Sequence, residues 1–390
     1  MITRADALAL DEADPLSNRR GEFLIADDSL VYLDGCSLGR TPKRTAERVD
    51  HVLHEEWAGG LVRSWDHWID LPQRVGDRLA PLIGAQRGEV VVHDSTTVNL
   101  YQLVDAACAL RPDRKVVAIG AADFPTDRYV VDGIAAARGL QVRSDLDRLD
   151  DVAVMVRSVV DYRTAEVADV AAETARAVAA GALALWDLSH AVGVLAIDLA
   201  AAGVELAVGC TYKYLNGGPG SPAFSFVASD LQATLPQPIW GWFAQADQFQ
   251  MGSAFLPQPD IRRVLLGTPS ILALAAAEEG VALTVESGID KVQAKAQALT
   301  GLALDLCDQF GFDSSTPRDP GRRGGHIAVH HPRAGQLAAE LAEQGVITDF
   351  RQPDIIRIGC SPLPTRFIDV FDGVTRLHHL AGTGGGSVRR

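Results

Sequence analysis

The stretch VELAVGCTYKYLNGGPG, residues 204–220, opens as a short β-rich run and places a lysine between two tyrosines. It then breaks into a turn too rich in glycine and proline for a helix or strand interior. Lysine is scarce in this chain: five, at positions 43, 115, 213, 291 and 295, stand against 31 arginines. Arginine stays protonated at any working pH, whereas a lysine amine can be desolvated, lose its proton and form a Schiff base with an aldehyde. An exposed loop lysine is the plain alternative for Lys213, so its surroundings must decide.

Working outward, residues 88–230 alternate short apolar runs with helical ones. EVVVHD is followed by TVNLYQLVDAACALR, KVVAIG by a helix near 127–138, VAVMVRSVV by an Ala-rich helix over 167–180, and then come GALALWD and VELAVGC. Strands of four to eight residues separated by helices predict an α/β fold with a mostly parallel sheet covered on both faces. Ligands of such sheets bind where the strands' carboxyl ends open. After about residue 270 the pattern changes to long helices near 269–286 and 290–310, then HIAVHH, a helix near 334–344, VITDF, IIRIGC and a last helix near 366–380. The expected organisation is an N-terminal segment 1–50, a large domain 51–285, a small C-terminal α/β domain 286–380 and a disordered tail 381–390. No internal repeat is evident.

Composition narrows the function. With 390 residues, 47% of them hydrophobic, the chain can bury a large core. A formal charge of −14 argues against a partner bound through its phosphate backbone, and so against nucleic acid. Cysteines 36, 108, 210, 307 and 360 are odd in number and never paired as CxxC, which suggests neither a disulfide framework nor a metal site. The polar, acidic start MITRADALALDEADPLSNRR lacks an apolar signal core, and no run of about 18 uncharged apolar residues occurs. The expectation is a cytoplasmic protein with no membrane span.

Polar residues collect where the expected strands end. GALALW ends in Asp187 with His190 three residues on; KVVAIGAADF runs into Pro125, Thr126 and Asp127; EVVVHD runs into Ser95, Thr96 and Thr97; VELAVGC leads to Tyr212 and Lys213. Singly, each has a structural reading: a strand-end Asp or a Ser/Thr pair caps a helix, and a lone His is buried for packing. Together they suit a cofactor with an aldehyde, a cationic ring nitrogen and a phosphate. A carboxylate such as Asp187 keeps a pyridine nitrogen protonated, a helix start such as Thr96–Thr97 binds phosphate, and Lys213 supplies the imine. That set describes pyridoxal 5′-phosphate.

At this point the chain resembles kynureninase, a fold-type I (aspartate aminotransferase-like) pyridoxal-phosphate enzyme of the aminotransferase class V group. The likeness runs from YLDGCSLG to IIRIGCSPLPTRF. It is carried by DSTTVNL, DFPTDRY, VDYRT, WDLSHAVG, GCTYKYLNGGPGSPAF, GWF and the GTP of 267–269. The resemblance implies Lys213 as the Schiff-base lysine, Asp187 as partner of the ring nitrogen, His190 beside the ring and Phe124 stacked on it. It implies phosphate contacts from Thr96, Thr97 and Tyr212, the last also serving proton transfer, and cofactor-side roles for Asp127 and Ser158. Trp242 and Thr268 match phosphate contacts that the family donates from a second subunit, so a homodimer with a shared active site is implied. Arg357 matches the arginine that grips the substrate α-carboxylate, with Ser37 and Gln245 also on the substrate side. The implied reaction cleaves the β-carbon side chain of an L-α-amino acid, giving alanine and an aryl acid.

Four places depart from the family. The family's Gly-Asn-Ser-Leu-Gly reads GCSLG with Cys36, its Ser-His-Val reads SVV with Val159, its Gly-Trp-Phe-Gly-His reads GWFAQ with Ala244 and Gln245, and its Pro-Leu-Tyr reads PLP with Pro364. Losing two imidazoles and a phenol removes groups that could hydrogen-bond an anthranilate or assist hydration of a carbonyl. The alternative substrate is then an S-substituted cysteine, processed by C–S β-elimination or by decarboxylating or oxidative deamination, as in lincosamide-type antibiotic biosynthesis.

Overall fold

The structure is a computed structural model and describes residues 1–383. Its main sheet has seven strands in the order Val90–His93, Ala223–Val227, Leu206–Gly209, Leu183–Asp187, Val152–Ser158, Val116–Ile119 and Gln141–Arg143. All pairings are parallel except those of Ala223–Val227, which runs antiparallel to both neighbours. The expected α/β class with a mostly parallel sheet is what the chain adopts.

The continuous apolar runs have a physical cause: these strands are buried on both faces. Val90, Val92, Met155, Ala184, Trp186 and Ala207 pack into one layer, while Val91, Val154, Val156, Leu183, Leu185 and Val208 pack into the other. Alternation along a strand sends neighbouring side chains to opposite faces, so a strand with two buried faces must be apolar throughout. Helices Thr96–Leu110, Pro125–Arg138 and Val170–Ala179 fill the connections. Pro125 opens its helix at a position that needs no amide donor.

Two strands carry little sequence signal. Gln141–Arg143 is a short polar edge, and Ala223–Val227 follows a Gly/Pro turn that reads as the end of an element. The run VITDF, expected as one strand, divides. Val346–Ile347 pairs in parallel with Val31–Tyr32, and Asp349–Arg351 pairs antiparallel with Ile355–Gly359. The latter belongs to a four-stranded sheet ordered Asp349–Arg351, Ile355–Gly359, His326–His330, Asp313–Ser314.

The small sheet shares a core with Ile289–Phe310, Ala334–Glu343 and the last helix, Phe367–Thr383. That helix takes in residues 381–383 of the expected tail; residues 384–390 lie outside the described residues.

The N-terminal segment laces onto this unit. Ala7 of helix Arg4–Ala13 enters the small core, and the Asp11 carboxylate accepts from the amides of Phe367 (2.7 Å) and Ile368 (3.0 Å), capping the last helix. Asp14 forms a buried ion pair with Lys295, 2.6 Å apart. The segment then runs under the lysine loop, where the Gly39 amide donates to the Tyr212 carbonyl at 2.8 Å. A side chain at Gly39 would place its Cβ 2.3 Å from the Lys213 carbonyl oxygen, so the GCSLG stretch needs glycine there. Among the described residues all five cysteines are free and buried, and no helix is long and apolar enough to cross a membrane.

Candidate active site

The carboxyl ends of the parallel strands and two helix starts converge on a cavity of about 120 Å³. Lys213 and Tyr212 come from the loop after Leu206–Gly209, Asp187 and Ser158 from strand ends, and His190 from the turn after Asp187. Thr96 and Thr97 open one helix, while Phe124 precedes another and Asp127 sits in its first turn. All nine are residues expected from the sequence. Thr126, Val160, Tyr162 and Ser189 complete the wall.

Lys213 is 9% exposed, and its Nζ lies 2.9 Å from His190 Nε2. Burial, and then the Lys213 charge, hold the His190 imidazole well below its ordinary range, so the ring is neutral. Its Nε2 can therefore accept from an ammonium at Nζ, which places the ring proton on Nδ1. The same Nζ stands 5.9 Å from the ring centres of both Phe124 and Tyr212. Phe124 is fixed edge-on against Tyr162, centroids 5.1 Å apart.

Two carboxylates, Asp127 and Asp187, meet in the same cavity. Asp187 Oδ1 accepts from the Ser189 amide at 2.8 Å and the Ser189 hydroxyl at 2.6 Å, which locks its rotamer. Burial, and then the Asp187 charge, push the Asp127 carboxyl up to about 9. The Cys210 thiol and burial raise the Tyr212 phenol as well.

Arg357 and Ser37 are brought together, the guanidinium Nη2 donating to Ser37 Oγ at 3.1 Å. Arg357 Nη1 donates to the carbonyl of Tyr162, a cavity residue, at 2.7 Å. Thr268 lines an adjoining cavity of about 520 Å³ that shares Thr96, Thr97 and Tyr212 with the first. Trp242 and Gln245 are not brought to either cavity within one chain. Trp242 packs on Trp65, Phe243 and Phe249, with centroids 6.3, 4.8 and 6.2 Å away. Gln245 fastens its own loop, accepting from the Leu256 amide at 2.7 Å and donating to the Ala254 carbonyl at 3.3 Å. Cys36 and Val159 are buried, and the Pro364 carbonyl accepts from Arg20 at 2.6 Å.

Sequence reasoning missed three residues here. Tyr162 walls the cavity, Asp349 pairs with Arg357, and His326 is wholly buried with its ring 5.6 Å from that of His190. Asp349 left a signal, an Asp facing an Arg across a hairpin; His326 left none, since it begins an ordinary apolar strand.

These residues fit pyridoxal 5′-phosphate. Asp127 Oδ2 and His190 Nδ1 are buried without a hydrogen-bond partner, so the polar wall is incomplete by itself. A cationic ring nitrogen would answer the carboxylate pair, and a phosphate would answer the first-turn amides of Thr96 and Thr97, which have no acceptor within the helix.

Residues 292–377 match the family described as the kynureninase C-terminal domain. Kynureninase of Pseudomonas fluorescens is 40% identical over 97% of this chain and 96% of its own length, and that of Burkholderia pseudomallei (strain 1106a) is 41% identical over 98% and 96%. Among solved structures, the apo cysteine desulfurase of Thermococcus onnurineus NA1 superposes with a TM-score of 0.83. It covers 94% of this chain and 98% of its own at 15% identity, a likeness of fold.

Proposed function

The chain belongs to the kynureninase family, and we propose that it is a pyridoxal-phosphate hydrolase that cleaves an L-α-amino acid of the kynurenine type between its β- and γ-carbons, releasing alanine and an aryl acid. The observation that carries this reading is one lysine amine, 2.9 Å from a neutral imidazole, in a cavity that also holds Asp127 and Asp187, while the buried Arg357 donates to the carbonyl of the cavity residue Tyr162.

When bound, the cofactor supplies an electron sink for the charge left at the substrate α-carbon. The residues do the rest. Asp187, held by Ser189, would keep a proton on the ring nitrogen of the bound cofactor. Thr96, Thr97 and Tyr212 would hold the phosphate, and Ser158 and Asp127 would close the cofactor side. The Lys213 amine moves the α-proton, with His190 accepting from it and keeping it aimed. Tyr212 lines the same cavity as Lys213 and carries its phenolic proton there, so it is placed to pass a proton to the substrate side. Arg357 and Ser37 bind the α-carboxylate.

Trp242 and Thr268 are assigned to the phosphate site of a second copy, which makes the working unit a homodimer. The position of Trp242, outside both of the cavities that hold Thr96 and Thr97 in its own chain, supports this for Trp242, whereas Thr268 also lines one of them. Trp242→Ala should weaken cofactor retention, and a monomer with full cofactor occupancy would defeat the assignment. Five buried thiols without a disulfide suit a reducing cytoplasm.

A second reading, C–S cleavage of an S-substituted cysteine in antibiotic biosynthesis, is favoured by one observation. Gln245 stands where the family has an imidazole and is engaged by its own loop. Incubating the holoenzyme with kynurenine, 3-hydroxykynurenine and a panel of S-conjugated cysteines, with products identified by mass spectrometry, decides. Alanine with anthranilate supports the first reading; pyruvate with a thiol, and no cleavage of kynurenine, replaces it with the second.

A further inference from the structure

Antiparallel register sets Asp349 directly opposite Arg357 in the small sheet, so both side chains leave the same face, and Arg351, two residues beyond Asp349, shares it. Asp349 Oδ2 accepts from Arg357 Nε at 2.7 Å and from Arg357 Nη2 as well, and Arg351 Nη2 lies 2.9 Å from the same oxygen. The carboxylate therefore occupies the Nε side of the Arg357 fork. Its end-on edge, Nη1 and Nη2, is met by two neutral acceptors, the Tyr162 carbonyl and the Ser37 hydroxyl.

Those two kinds of partner differ in what can displace them. A hydroxyl yields to a carboxylate, because an anion adds charge–charge attraction and a second parallel bond to the guanidinium that a neutral hydroxyl cannot supply, and the hydroxyl can turn to donate to the newcomer. Asp349 does not yield, being charged itself and tied to a second guanidinium. Arg357 is 1% exposed, and without Asp349 its Nε side would be left without an acceptor, with only the neutral Tyr162 and Ser37 oxygens to hold the guanidinium plane.

We propose that Asp349 is the positioning residue of the substrate-carboxylate site: held by Arg351, it fixes Arg357 so that only the end-on edge of the fork, beside Ser37, receives the α-carboxylate. This rests on the reading of Arg357 as the carboxylate grip.

The test uses the dimeric holoenzyme and two probes of one shape, L-alanine and L-alaninamide, titrated by the change in cofactor absorption. The wild type should bind L-alanine the more tightly. Asp349→Asn should weaken L-alanine about 10- to 100-fold, the worth of a misplaced charge-assisted pair, and leave L-alaninamide within about twofold. Asp349→Glu should recover part of the loss. Should Asp349→Asn fail to fold, Arg351→Gln, which frees Asp349 from its tether, should show a smaller loss confined to L-alanine. A wild type that does not discriminate overturns the reading of Arg357. A discriminating wild type whose variants still discriminate, or lose both probes equally, overturns the role of Asp349.

Discussion

Lys295 is, with Lys213, one of two buried lysines, and it is the better one on which to measure what burial of a charge does in this fold. Its Nζ lies 2.6 Å from Asp14 Oδ2, with side chains 5% and 2% exposed, and Asp14 Oδ1 accepts from the Leu16 amide at 2.8 Å. Lys295→Met keeps the side-chain volume and removes the charge, leaving Asp14 buried with one amide for company. Breaking a buried pair from one side costs about 3–5 kcal/mol. With an unfolding entropy near 2.1 cal/mol/K per residue, that is a fall in Tm of about 4–6 °C for a chain of this length. Removing both charges, in Asp14→Leu with Lys295→Met, should restore the wild-type Tm to within about 2 °C or exceed it, because neither ion is then left alone. The assay is calorimetry of the holoenzyme, with the cofactor spectrum expected to stay unchanged, since the pair joins the N-terminal segment to helix Ile289–Phe310, away from the cavity. A single variant as stable as the wild type, or a double variant no better than the single, would refute the reasoning.

Three further outcomes are expected. Asp127 binds its proton more tightly folded, at about 9, than unfolded, near 3.9, so its stabilisation is complete below about pH 4 and is lost as pH rises toward 9. The Tm of the cofactor-free protein should fall over that window, and Asp127→Asn should flatten the slope; an unaltered slope counts against the carboxylate pair. Borohydride treatment of the holoenzyme should fix the cofactor on Lys213, and peptide mapping to Lys43, Lys115, Lys291 or Lys295 would contradict the site. Arg357→Lys should weaken L-α-amino acid binding by about 1.5–3 kcal/mol while leaving the cofactor spectrum intact, since three ammonium donors cannot replace a planar fork; equal affinity would place the carboxylate elsewhere.

The sequence by itself determined the parallel core and most of the polar residues that line the cavity at the strand ends. Strands with two buried faces must be apolar along their length, which makes EVVVHD, KVVAIG and GALALWD stand out, and a parallel sheet gathers its loops at one edge. Lys213, Asp187, His190 and Thr96 therefore assemble from local pattern alone.

Tertiary structure decided what depends on partners distant in the chain. Asp14 and Lys295 look like two surface charges until a fold sets them 2.6 Å apart, and nothing in VITDF says that Val346–Ile347 will pair with Val31–Tyr32 while Asp349 turns to Arg357. Lys213 and Lys295 are the same residue type, both buried. One faces a carboxylate and the other a neutral imidazole, and that difference lies in which segments pack together, which the local periodicity of a chain does not encode.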